Sequence, residues 1–113
     1  MGAPPAGAVV LVPFPFSDLT QAKLRPAVVM ADAGRGDFIL CQVTSNPYGD
    51  PFAVELTNRD FATGTLDRVS YARPSKLFTA NLTLIVREVG VLTPVARTRI
   101  TDRIIELLSG KKK

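Results

Sequence analysis

The chain has 113 residues, 46% of them apolar, and a formal net charge of +4. That is enough for one core, too short for two ordinary domains, and too apolar for wholesale disorder. Three of the positive charges are the terminal Lys111, Lys112 and Lys113, histidine is absent and Cys41 is the only cysteine. This excludes a uniformly basic body, imidazole acid–base chemistry, Ser–His and Cys–His nucleophiles and an internal disulfide, and it leaves little from which to build a structural zinc site.

In chain order, residues 1–6 read as a loose leader without the basic n-region of a secretory signal. No apolar run approaches the roughly 20 residues of a membrane-spanning helix. A cytoplasmic location is expected. Gly7 to Phe14, rich in valine, reads as a first strand, followed by a loop of turn formers and polar residues over Pro15–Leu24. Pro26 to Ala31 is a second strand and Asp32–Asp37 a tight hairpin turn. Phe38 to Ser45 is a third strand, in which Cys41 reads as a small buried hydrophobe, and Asn46–Pro51 stops it. Phe52 to Leu56 gives a fourth. Thr57 to Asp67 is polar with a central glycine and reads as loop. Val69 to Arg73 is a fifth strand, and Thr83 to Val91 contains a sixth.

The period then changes. Thr93-Pro94 offers an N-cap and a first-turn proline. Val95, Ile100, Ile104, Leu107 and Leu108 recur at helical spacing, and Gly110 is the stop. Several short strands followed by one amphipathic helix predict a mainly β (α+β) domain, a small and strongly bent sheet or partly open barrel with the helix packed on it.

Two stretches carry candidate chemistry. In Lys23-Leu24-Arg25-Pro26 the proline disfavours the helical region for Arg25 and holds it extended. Its guanidinium presents five donors in a fork that suits phosphate oxygens; it also reads as a solvated strand end, or as a partner of Asp18. In Gln42-Val43-Thr44-Ser45-Asn46, Gln42 and Thr44 share one face of a strand that ends in hydroxyls. Turn chemistry by Ser45 and Asn46 explains the same residues. Arg73 and Lys76 add positive charge at a second Arg-Pro step, and Tyr48, Phe52 and Tyr71 serve equally as core or as stacking rings. The carboxylates are scattered, without the spacing of a metal site.

The ordered set begins with Gly7-Ala8-Val9-Val10-Leu11-Val12-Pro13-Phe14-Pro15-Phe16-Ser17-Asp18 and continues with Lys23-Leu24-Arg25-Pro26-Ala27-Val28-Val29. Val43-Thr44-Ser45 follows, then Ser70-Tyr71-Ala72-Arg73-Pro74-Ser75-Lys76-Leu77, and Gly90-Val91-Leu92 leads into the closing helix. This order resembles the MazF/PemK family of toxins from bacterial type II toxin–antitoxin systems. The resemblance implies one SH3-like barrel domain over residues 7–110, a basic tail at 111–113 and a homodimer. It implies a metal-independent endoribonuclease, without cofactor, that cuts single-stranded RNA at short sequences and arrests growth by blocking translation. Attack of the 2′-OH leaves a 2′,3′-cyclic phosphate and a 5′-OH. The family's catalytic arginine and threonine fall on Arg25 and Thr44, and Arg73 and Lys76 on its RNA groove. Lys23, Gln42, Ser45 and Tyr48 complete the expected RNA-binding set. The implied partner is an acidic antitoxin that folds over the same groove, in a complex that binds DNA.

The chain departs from the family at Ala8, where aspartate is frequent, and in lacking a histidine or an Arg-x-Asp pair near Arg73. Two other readings stand beside the nuclease. One is a barrel that binds RNA or a protein without cutting. The other is a gyrase inhibitor like CcdB, which acts through a tryptophan-bearing tail that this chain lacks.

Overall fold

The structure, a computed structural model, describes residues 2–13 and 23–110. The end of the first expected strand at Phe14, the loop around Asp18 and the Lys111–Lys113 tail lie outside the described residues. Among the described residues seven strands precede one helix: β1 (Ala8–Pro13), β2 (Leu24–Gly34), β3 (Asp37–Thr44), β4 (Val54–Leu56), β5 (Phe61–Gly64), β6 (Ser70–Asn81), β7 (Arg87–Leu92) and α1 (Pro94–Leu108). They form one sheet in the order β4-β6-β3-β2-β1-β7-β5, antiparallel throughout. Register shifts in β1/β7, β2/β3, β3/β6 and β5/β7 bend the strands, so the sheet curls into a half-barrel. The expected mainly β, strongly bent barrel with a C-terminal helix is the fold observed.

Both faces of the central strands are covered, which is why β1 and β2 read as continuous apolar runs rather than alternating ones. One core holds Val9, Val28, Cys41, Val43, Leu56 and Ala72, and α1 closes it with Ala96 and Ile100. The other holds Val10, Val12, Val29, Phe38, Leu40 and Ile85. The helix starts as its sequence dictates: Ala96 N–H donates to Thr93 Oγ1 at 3.2 Å and Pro94 occupies the first turn. The β2–β3 hairpin turns through Arg35 and Gly36, both at positive φ, the backbone that matches strand twist in a two-residue loop.

Besides shifts of two or three residues at the ends of β2 and at the start of β4, three boundaries differ from the sequence reading. Phe61–Gly64 is a strand, although the polar Thr57–Asp67 stretch reads as loop. Tertiary fit outweighs propensity there: a Cβ on Gly90 would lie 2.7 Å from the Thr63 carbonyl and 2.8 Å from the Phe61 ring, so only glycine lets β5 pair with β7. β6 continues past Arg73 to Asn81, because a bulge absorbs Pro74 and the ladder resumes at Leu77. β7 begins at Arg87, with Leu82–Leu84 forming a separate 3-10 turn. In the stretch read as a loose leader, Pro4 is buried, and the N–H groups of Ala8 and Gly7 donate to the Pro5 and Val29 carbonyls.

Candidate functional site

β1 and β2 carry Arg25 to the sheet opposite Val12, with Pro26 opposite Leu11. The β2–β3 ladder reaches Ala27↔Gln42; two further steps in that register lead to Arg25 and Thr44. Both line a pocket of about 260 Å³ with Pro26, Ser45, Arg68 and Ser70. Arg25 is exposed, and its side chain makes no ion pair or hydrogen bond among the described residues. Thr44 is half-buried, and its Oγ1 accepts the Asn46 N–H at 3.2 Å, which leaves its O–H free to donate. The turn chemistry expected of Ser45 and Asn46 is carried instead by Thr44 and Asn46, whose Oδ1 accepts the Tyr48 N–H at 2.9 Å.

A second depression, about 380 Å³, is lined by Gln42, Arg73, Ser75, Lys76, Leu77 and Phe78. Its floor follows from the bulge: Cys41 pairs with Leu77 and Val43 with Ala72, so four residues of β6 face the single residue Gln42. The Cys41 thiol donates to the Arg73 carbonyl at 3.2 Å and anchors the bulge from below. Burial pushes that thiol from 9.0 up to about 12, so Cys41 is a core residue rather than a nucleophile. Arg73 differs from Arg25 in being held. Its Nε donates to Asp50 Oδ2 at 3.1 Å, and its guanidinium carbon lies 5.4 Å from the centre of the Tyr48 ring. Lys23 is exposed at the entry to β2 and lines neither depression.

The sequence reading missed Arg68 and Ser70. Both sit where a polar loop meets β6, and nothing local to Arg68 sets it apart from the other surface arginines; only the fold brings it beside Arg25. A further depression, about 680 Å³, was also unforeseen. It is lined by Asn58, Arg59, Asp60, Asp67, Arg68 and Arg99, among others, and meets the first pocket at Arg68. Arg99 is tied there to Asp60. Among the described residues, no cluster of three His, Cys, Asp or Glu side chains is placed to hold a metal ion, and no helix is long and apolar enough to cross a membrane.

The fold matches that of MazF from Deinococcus radiodurans (TM-score 0.76, 22% identity, 96% of this chain and 99% of that one). It also matches a MazE–MazF structure from the same organism (TM-score 0.74, 20% identity, 96% and 98%). A third similar structure is a mycobacterial endoribonuclease in complex with its cognate antitoxin (TM-score 0.69, 19% identity, 100% and 99%). At these identities the likeness concerns the fold. A comparison with curated protein sequences finds no match. The family model described as the PemK-like, MazF-like toxin of type II toxin–antitoxin systems matches residues 6–108. With nearly its whole length matched, and Arg25 and Thr44 gathered into one pocket of a curled half-barrel, the chain belongs to the PemK-like, MazF-like family of type II toxins.

Proposed function

We propose that this protein is a toxin that cuts single-stranded RNA without a metal ion, with Arg25 and Thr44 at the scissile phosphate. One observation carries the reading: Arg25 on β2, Thr44 at the end of β3 and the following Ser45 line one pocket in a chain of a toxin family. RNA supplies its own nucleophile, the 2′-OH, so the protein's work is to position it and to stabilise charge. As that oxygen attacks, negative charge grows on the non-bridging phosphate oxygens. The exposed guanidinium of Arg25 stabilises that charge, and a preorganised donor of this kind is worth about 3–4 kcal/mol in the transition state. Thr44, its lone pair engaged by Asn46, donates to the phosphate or orients the 2′-OH. Attack with loss of the 5′-oxygen gives a 2′,3′-cyclic phosphate and a 5′-OH.

The reading extends to Ser45 in the same pocket and to Gln42, Arg73 and Lys76 in the second depression, with Lys23 exposed at the entry to β2 and Tyr48 against Arg73, as the residues that meet the flanking nucleotides. The mycobacterial relative in complex with its cognate antitoxin supports a similar partner here, an acidic segment that folds over the groove, and the chain is proposed to act as a homodimer.

The test is purified protein with total RNA in EDTA. Discrete fragments whose 5′ ends accept phosphate from a kinase without prior phosphatase treatment support the reading. RNA left whole by the wild-type protein, or normal cutting by both Arg25→Ala and Thr44→Val, sinks it. A gel shift without cutting favours the non-cutting binder.

A further inference from the structure

We infer that Asp50 is a positioning residue for RNA binding: it fixes Arg73 over the Tyr48 ring and so builds a stacking surface for one base of the bound strand. The inference rests on the nuclease reading and adds to it a residue outside the expected site.

The Asp50 side chain is only 5% exposed. A carboxylate at such a position is costly unless it is paired and hydrogen-bonded, and Asp50 is fully engaged. Oδ2 accepts from Arg73 Nε at 3.1 Å and from Ser75 Oγ at 3.3 Å, and Oδ1 accepts the Phe52 N–H at 2.8 Å. These bonds join the loop after β3 to the bulge of β6. They occupy Nε of Arg73, while its two terminal nitrogens have no partner among the described residues.

The same loop carries Tyr48 in an uncommon conformation. Tyr48 has φ +56 and Gly49 φ +70, a backbone that bulky residues avoid. Two bonds hold it: Asn46 Oδ1 accepts the Tyr48 N–H at 2.9 Å, and the Pro47 carbonyl accepts the Asp50 N–H at 3.0 Å. Left-handed backbone at a non-glycine residue persists only where the surroundings over-determine it. Here the outcome is a ring that is 67% exposed, with a guanidinium over it. A core role is excluded by that exposure. An aromatic face, an arginine plane, and the Gln42 amide and Lys76 in the adjoining depression are the groups that single-stranded bases use for stacking, edge recognition and backbone charge.

The experiment measures cleavage of a single-stranded oligoribonucleotide by the full chain. Asp50→Asn keeps the shape and the acceptor for Phe52 but drops the charge that holds Arg73. It is expected to raise KM about tenfold with kcat nearly unchanged, since one base stack is worth about that factor. Arg73→Ala is expected to do the same, and Asp50→Asn should add nothing in the Arg73→Ala background. Tyr48→Phe should resemble wild type, whereas Tyr48→Ala should resemble Asp50→Asn. An effect of Asp50→Asn on kcat alone, an unchanged KM, or additive effects of Asp50→Asn and Arg73→Ala would overturn the inference. If the wild-type protein cuts nothing, the nuclease reading fails separately. The clasp is then read from the anisotropy of fluorescein-labelled single-stranded RNA: equal affinities of wild type and Asp50→Asn overturn it, and a roughly tenfold loss supports it.

Discussion

The chain contains two Arg-Pro steps, Arg25-Pro26 and Arg73-Pro74, and the fold treats them in opposite ways. Each proline holds the preceding arginine extended. At the first, Pro26 stays within the β1–β2 ladder, and Arg25 stands exposed beside a pocket, with no carboxylate attached among the described residues. At the second, Pro74 is fully buried in a bulge, and Arg73 is clasped by Asp50, which comes from a loop 23 residues earlier in the chain. Among the described residues, the same local chemistry yields an unclasped cation in one place and a clasped one in the other. What separates them, among the described residues, is whether the tertiary fold brings a carboxylate within reach.

The sharpest way to break this contrast is to remove Arg25. Arg25→Ala is expected to lower the cleavage rate by about 10²–10³-fold. Its stability should stay within about 0.5 kcal/mol of wild type, as for a surface change. A cleavage assay paired with denaturant unfolding checks both, and a large loss of stability would place Arg25 among the structural arginines. Gly90→Ala should do the reverse. A Cβ there runs into the Thr63 carbonyl and the Phe61 ring, and crowding of this kind costs about 1–3 kcal/mol. Urea unfolding of that variant should lose stability, while cleavage per folded molecule is retained.

Arg73→Ala sharpens the other half. It strands the nearly buried Asp50 carboxylate and is expected to cost about 1–2 kcal/mol of stability, within the range for an unsatisfied buried group. Asp50→Asn in that background should recover part of the loss. A stability unchanged by Arg73→Ala would mean that the Arg73–Asp50 pair holds nothing.

The smallest effect is a pH dependence beneath the Arg73 bulge. The Cys41 thiol titrates near 9.0 when exposed and at about 12 in the folded chain. The folded state therefore keeps a proton that the unfolded chain gives up. The associated stability is complete below pH 9 and is lost as pH rises towards 12, at up to about 1.4 kcal/mol per pH unit. Urea midpoints at pH 8 and pH 10 should separate in the wild type and draw together in Cys41→Ala. Iodoacetamide at pH 8 should label Cys41 only when the chain opens.

The strands with the most apolar sequences were legible because their apolar runs are long enough to demand burial. The closing helix was legible because its cap and period are local properties. The polar β5 was not, since its pairing depends on the close approach of Gly90 to Phe61 and Thr63 on another strand. β6 looked finished at Arg73-Pro74 because a proline ends a regular ladder; only the facing strand shows that the ladder resumes at Leu77.

Sequence alone determined the chemistry on offer: no imidazole, one thiol, a proline-stiffened Arg25, and a strand ending in Thr44-Ser45. It determined the β-rich order and the helix that closes it, since hydrophobic period and capping are written in neighbouring residues. Tertiary structure decided which cations meet a carboxylate among the described residues. It put Arg25, Thr44 and Arg68 around one pocket and set Asp50 against Arg73. Those meetings depend on strand register, bulges and loop return, and no short stretch of chain encodes them.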